Sequence, residues 1–275
     1  MTNIGPGWRI VAALALAGAA AFSDIASAQE ATDWADVEGR VQYAYYTNDA
    51  RALNGVLATL KPKEVEGEKE SADDLVMRSY FRALAQYRIA QVLAPTKKGD
   101  AKDAIDDCHD EVDNGVTALP KVPPGLDETD ANRQKRAELY ALATACTLAG
   151  REMSTMPFFG GGRIGSRIED AVKLEPKNPR VRLVETLAQF DRAGKDEKQK
   201  AAALAKLRTV AQMFEAARAA ASSTPEWGAA ETYAFLGRAL YEQRDVVGAR
   251  EALERSLLIA PDYAFPRKLM SQITR

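Results

Sequence analysis

Histidine and cysteine are scarce in this 275-residue sequence, which contains one histidine and two cysteines. The single histidine, His109, excludes metal centres that are built from histidine pairs. The two cysteines are not in a C-x-x-C spacing, so a thiol redox centre is not expected. The sequence therefore predicts no metal ligands and no cofactor.

An excess of charge of one sign is also missing, because 37 Lys and Arg residues face 39 Asp and Glu residues for a net charge of −2. Nucleic-acid-binding proteins carry basic patches, so a nucleic-acid partner is not predicted. The balance gives no reason to expect binding to anionic lipid either. Five aspartates recur between Asp103 and Asp113, but they lack the loop pattern of a calcium site and are interpreted as a solvent-exposed helix face.

Catalytic signatures are absent as well. There is no G-x-S-x-G sequence around a candidate nucleophile. The glycines Gly160 to Gly162, with Gly165 and Ser166, are placed before a predicted helix N-terminus, where an anion could bind. A nucleotide-binding loop would need a lysine before the serine and a preceding strand, and neither is present. We therefore expect a protein that is not an enzyme.

Long apolar runs are confined to the N-terminus. Arg9 precedes an apolar run over residues 10–22, and Ala26-Ser27-Ala28 fits the small-x-small pattern of signal-peptide cleavage. The alternative, an uncleaved anchor, would need an apolar run of roughly 20 residues. The sequence predicts a signal peptide over residues 1–28, cleavage between Ala28 and Gln29, and a periplasmic or secreted protein. No integral membrane segment is expected in the remainder.

The rest of the chain has the pattern of helices. Apolar residues recur every three or four positions, and alternating strand patterns bounded by Asn-Gly or Asp-Gly are missing. Breaks at Asn48-Asp49, 95–99, 119–125 and 175–179, with others downstream, divide the chain into about eleven helices. The prediction is an all-α solenoid over residues 29–275, with about five antiparallel pairs and a C-terminal capping helix.

One segment, Ala230 to Tyr263, resembles a tetratricopeptide repeat. Gly237 and Ala249 are small where the two helices of such a repeat cross, and Pro261 stops the second helix. The positions that carry the resemblance are Tyr233, Leu236, Gly237, Leu240, Ala249, Leu253, Ser256 and Pro261. Weaker copies comprise Trp34, Val37, Val41, Ala50, Leu57 and Pro62, and then Ile168, Ala171, Val172 and Pro176.

The resemblance implies an adaptor whose concave face holds a protein or peptide. In the family, exposed positions of the first helix of each pair line that face. The corresponding candidates here are Arg238, Tyr241 and Glu242 in the last repeat, and Gln42 and Tyr43 in the first. Aromatic and arginine side chains are effective interface anchors. The expected partner is a protein or peptide of the cell envelope, and self-association remains an alternative.

An unusual insertion, Arg151 to Gly162, interrupts the third copy. Phe158 and Phe159 are costly to leave in water, so the insertion could cover the groove or contact a partner together with Arg163. An alternative function is that of a small-molecule binder or an enzyme, in which the Met153 to Gly165 loop is the lid.

The two cysteines are predicted to form a disulfide. A signal peptide would place them in an oxidising compartment. Cys108 is on the apolar face of the second helix of one pair, and Cys146 is on the apolar face of the first helix of the next. Those faces pack together in a stacked solenoid, which favours a Cys108–Cys146 bond over two buried free thiols.

Overall fold

The computed structural model describes residues 32–62, 70–122, 127–153, 161–219 and 227–273. Eleven helices occupy these residues: α1 (Trp34–Tyr46), α2 (Ala50–Thr59), α3 (Ala72–Leu93), α4 (Lys98–Ala118), α5 (Asp130–Met153), α6 (Gly161–Leu174), α7 (Pro179–Ala193), α8 (Glu197–Ala219), α9 (Ala229–Glu242), α10 (Val246–Ile259) and α11 (Ala264–Ile273). The predicted signal peptide and its cleavage position, Ala28 and Gln29, lie outside the described residues.

The helices pack as sequential pairs, α1/α2, α3/α4, α5/α6, α7/α8 and α9/α10, and α11 packs against the last pair. The first helices α1, α3, α5 and α7 contact one another in order, and the second helix of each pair contacts the first helix of the next. This arrangement confirms the predicted all-α solenoid of five pairs with a terminal cap. Among the described residues, no helix combines the length and hydropathy needed to cross a membrane.

Capping side chains fix several helix starts, and two of these starts, those of α2 and α7, are at predicted breaks. Asp33 accepts hydrogen bonds from two backbone N–H groups in the first turn of α1, and Asp49 accepts one in the first turn of α2. Asn48, immediately before Asp49, has a φ of 56°, a conformation that asparagine tolerates better than most residues. Asn178 caps α7, whose first residue is Pro179.

The crossing of α9 and α10 has the close approach that the repeat pattern predicts. A Cβ atom on Gly237 would lie 2.6 Å from Cγ of Leu253 and 3.1 Å from the carbonyl oxygen of Ala249. Ala249 is fully buried at this crossing. A larger residue at position 237 would therefore push the two helices apart.

The Sγ atoms of Cys108 on α4 and Cys146 on α5 are 1.99 Å apart, which is disulfide bonding distance. Both cysteines are fully buried. The bond joins the second helix of one pair to the first helix of the next, as predicted. The aspartates of α4 between Asp103 and Asp113 are solvent-exposed, which also agrees with the prediction.

Candidate functional site

The start of α9 packs against the first helices of the first two pairs, so the solenoid closes on itself. The backbone N–H of Trp227 donates to Oε1 of Glu38 on α1 at 2.7 Å. Its indole N–H donates to the hydroxyl of Tyr80 on α3 at 2.6 Å. Trp227 is only 2% exposed. The backbone and side chain of Trp227, two residues before α9, thus connect this segment to both α1 and α3.

A buried ion pair lies beside Trp227. Arg88 on α3 donates to Glu231 on α9, and each side chain is 2% exposed. Glu231 also accepts from the Tyr46 hydroxyl at 3.0 Å and from the backbone N–H of Gly228 at 2.9 Å. The guanidinium carbon of Arg88 lies 4.0 Å from the centre of the Tyr45 ring. Both charges therefore have close partners despite their removal from water.

These surroundings shift the pKa values of the ionisable side chains. Burial acts to lower the pKa of Arg88, but the Glu231 carboxylate and the neighbouring phenols outweigh it, so the pKa is raised. Burial, followed by the charge of Glu231, raises the pKa of the Tyr46 phenol well above its ordinary value. At neutral pH, Arg88 is therefore charged and Tyr46 is a neutral hydrogen-bond donor.

A second buried ion pair supports the same region from α5 and α7. Arg180 donates to both carboxylate oxygens of Glu138 at 2.9 Å, and the amide of Asn178 also donates to Glu138. The hydroxyl of Tyr80, which accepts from Trp227, donates to Glu138 at 3.3 Å. A chain of buried polar contacts thus connects α1, α9, α3, α5 and α7.

Glu38, Tyr46, Arg88, Trp227 and Glu231 are referred to below as the closure contacts. They cover the face of α1 and α3 that the repeat pattern assigns to an open concave groove. The prediction that Gln42 is exposed on this face is wrong. Gln42 is 7% exposed and accepts a hydrogen bond from Arg88 on α3 at 3.4 Å.

The groove remains accessible farther along, where a partly open cleft lies among α3, α5, α7, α8 and α9. Its volume is about 380 Å³. Most of the apolar side chains that line it are only partly buried, in contrast to the closely packed core. The apolar lining residues are Ala145, Leu148, Ala149, Leu187, Phe190, Phe235 and Ala239. We refer to this space as the α9 cleft.

Charged side chains surround the α9 cleft, and each is paired within the chain. Arg238 and Glu242 form an ion pair at 2.9 Å, and Lys200 and Glu197 form one at 3.1 Å. Asp191 pairs with Arg151, which comes from the end of α5, at 2.8 Å. The rim is therefore locally neutral.

The inner wall of the α9 cleft is connected to the closure contacts through two residues of α3. Gln91 accepts from Arg88 at 2.8 Å and donates to the Tyr87 hydroxyl at 3.1 Å. Gln91 and Tyr87 both line the cleft. The buried ion pair thus holds the orientation of two side chains that a bound molecule would contact.

The structure brings only some of the predicted binding residues to the α9 cleft. Arg238 and Glu242 are exposed and line the α9 cleft. Tyr43 and Tyr241 are 62% and 37% exposed, but neither is among the residues that line this cleft. The two phenylalanines of the insertion, Phe158 and Phe159, lie outside the described residues.

The glycine-rich segment does not precede a helix as predicted. Helix α6 begins at Gly161, so Arg163, Gly165 and Ser166 lie inside it. A backbone cradle for an anion needs free N–H groups ahead of a helix start. The helix therefore begins too early for Gly165 and Ser166 to form such a cradle. Among the described residues, no group of three or more His, Cys, Asp or Glu side chains could hold a metal ion.

Comparison with known proteins assigns no family. No protein-family model matches the chain, and a search of curated proteins finds no similar sequence. The geometry of the α9 cleft is therefore the observation from which a function is proposed.

Proposed function

We propose that the chain is a non-enzymatic interaction scaffold of the tetratricopeptide type, which binds a peptide or protein segment in the α9 cleft. The observation that carries this proposal is the convergence of partly exposed apolar side chains from α5, α7 and α9 on one cleft. Soluble proteins rarely leave such groups together in water, and shared apolar surface of this kind marks interaction sites. The Arg238–Glu242 pair at the rim matches the surface that the repeat resemblance assigns to partners.

Export to the periplasm or secretion is part of the proposal. The N-terminal sequence has the order of charge, apolar run and small residues of a signal peptide. Two sulfur atoms at bonding distance are compatible with an oxidising compartment. The partner would accordingly be a protein of the cell envelope. Mass analysis of the protein recovered after expression of the full chain tests the cleavage before Gln29.

Selection from a random peptide library tests binding in the α9 cleft. The immobilised protein is panned against displayed peptides, and an Ala239→Trp variant is panned in parallel. Ala239 is a half-buried residue of the cleft wall, so tryptophan would fill the space without deleting a core side chain. We expect peptides to be enriched by the native protein and not by the variant.

The matched control is Ala58→Trp, which places the same side chain on an exposed position of α2, outside the residues that line the cleft. This control should enrich the same peptides as the native protein. Circular dichroism should show equal helix content in all three proteins. Enrichment that survives Ala239→Trp, or no enrichment at all, would contradict the proposed function.

A second candidate function, a small-molecule binder, is favoured by the size of the cleft. A volume of about 380 Å³ is within the range of roughly 300–1,000 Å³ that is usual for small-ligand pockets. In one version of this function, the Met153 to Gly165 loop is a lid over the cleft. Most of that loop lies outside the described residues. A thermal-shift screen with uncharged small molecules, repeated with Ala239→Trp, tests it.

A further inference from the structure

We infer that the segment bound in the α9 cleft is uncharged and inserts a bulky apolar side chain between the α7 and α9 walls. This inference rests on the proposed function and specifies the chemistry of the partner. It follows from three properties of the cleft: its paired rim, its occupied inner wall and its small residues.

Among the described residues, each charged side chain that lines the cleft contacts a group of opposite charge. The cations Lys200 and Arg238 already contact Glu197 and Glu242. The remaining lining carboxylate, Asp191, contacts Arg151. The opposite charges of these pairs balance, so the rim gives a ligand of either sign no net electrostatic attraction. Charge complementarity therefore favours a neutral segment.

The polar groups of the inner wall also have partners within the chain. The side chain of Gln91 is engaged at both ends, because its carbonyl oxygen accepts from Arg88 and its amide donates to Tyr87. Both polar ends of Gln91 therefore have a hydrogen-bond partner within the chain and do not need one from a ligand. A side chain that reaches the inner wall should therefore be apolar.

The small residues explain why a bulky side chain fits. Ala145 and Ala149 on α5 face the cleft, as does Ala239 on α9. The larger side chains of Phe190 and Phe235 line the same cleft. An aromatic or branched aliphatic group inserted there would gain contacts on several sides and remove apolar surface from water.

The experiment uses the peptides that the library selection enriches. We expect the enriched sequences to share an aromatic or large aliphatic residue and to contain few charges. Synthetic versions of about nine residues are then measured by fluorescence anisotropy, with the shared bulky residue retained or replaced by Asp or Lys. Each replacement should weaken binding by about tenfold or more, because it would bury an unpaired charge. Affinity should change by less than about twofold between about 50 and about 500 mM NaCl.

The outcomes separate the two proposals. If no peptide is enriched, or if binding survives Ala239→Trp, the proposed function fails and this inference fails with it. If the enriched peptides are acidic or basic and their binding requires an intact cleft but falls steeply with salt, the scaffold function stands and the inference is overturned. The Ala58→Trp control should leave each affinity unchanged.

Discussion

Arg88 and Glu231 form a fully buried ion pair although 143 residues separate them in the chain. Arg88 belongs to the second helical pair and Glu231 to the last. In a linear solenoid each pair contacts only its neighbours. This ion pair instead connects distant pairs and fixes the position of α9 against α3.

Replacement of Glu231 by Gln should destabilise the protein strongly. The substitution keeps the shape of the side chain but leaves the Arg88 guanidinium buried without an opposite charge. Removal of one partner of a buried ion pair typically costs about 3–5 kcal/mol. The free energy of unfolding in urea, compared between the native protein and Glu231→Gln, measures this effect.

Arg250 and Glu254 provide the control for that experiment, because they form an ion pair at 2.8 Å with side chains 61% and 51% exposed. The Arg250→Ala substitution should change the free energy of unfolding by less than about 1 kcal/mol. A double variant, Arg88→Met with Glu231→Leu, should recover most of the loss, since it removes both charges. A cost for Glu231→Gln as small as that for Arg250→Ala would show that the ion pair is unimportant for stability.

Gly228 should not tolerate a side chain. Its φ is 106°, and a Cβ atom would lie 2.6 Å from Cζ of Phe214 on α8. Backbone strain and this overlap together should make Gly228→Ala less stable by about 2–4 kcal/mol. The control is Gly194→Ala, which also has a positive φ, 53°, but has no atom within 4 Å of the added Cβ. It should lose only about 1–2 kcal/mol, and equal losses in a thermal or urea unfolding experiment would exclude the overlap as a cause.

Reduction of the Cys108–Cys146 bond should lower stability substantially. The bond closes a loop with a sequence separation of 38 residues, for which the chain-entropy model gives roughly 4 kcal/mol. Urea unfolding with and without a reducing agent, and of a Cys108→Ser and Cys146→Ser double variant, measures the difference. Alkylation followed by non-reducing mass analysis is the direct check, and two reactive thiols in the native protein would contradict the disulfide.

His109 should make stability depend on pH below neutrality. Burial and then the nearby Arg167 guanidinium lower its pKa below the ordinary value of about 6.5, although acidic residues of α4 oppose the shift. The folded state therefore takes up its proton at a lower pH than the unfolded state. The corresponding stability is present above about pH 6.5 and is lost as the pH falls toward the folded pKa.

His109→Gln provides the comparison for the pH experiment. Between about pH 7.5 and about pH 5.5, the free energy of unfolding should fall further for the native protein than for this variant. Equal decreases in both proteins would assign the pH dependence to other groups. The substitution retains a side chain that can hydrogen-bond to Thr147, which lies 3.3 Å from Nε2 of His109.

The helices and their pairing could be predicted because their causes are local. Apolar spacing, capping residues such as Asp49, and small residues such as Gly237 are all visible within one or two turns of sequence. The disulfide could be predicted once Cys108 and Cys146 were placed on facing helices. These features depend on contacts between neighbouring pairs.

The closure contacts could not be predicted in the same way. Gln42 has the repeat position of an exposed residue, but Arg88 of the next pair donates to it. Arg88 in turn is held by Glu231, 143 positions farther along the chain. A local signal is Glu38, a charged residue at the first-helix position where the best-matching repeat has the small residue Gly237.

The hydrogen bond between the hydroxyls of Tyr45 and Tyr263 has a consequence for the order in which the protein folds. It joins residues 218 positions apart at 2.9 Å, so almost the whole polypeptide must be synthesised before α1 acquires its final neighbours. Such distant contacts slow folding, because a long loop must close before they form. Arrays of repeats often stay folded when a terminal repeat is removed, but these contacts make the first helix of this protein depend on its last helices. A chain truncated before Trp227 would lose the environment of its first helix as well as its last three helices.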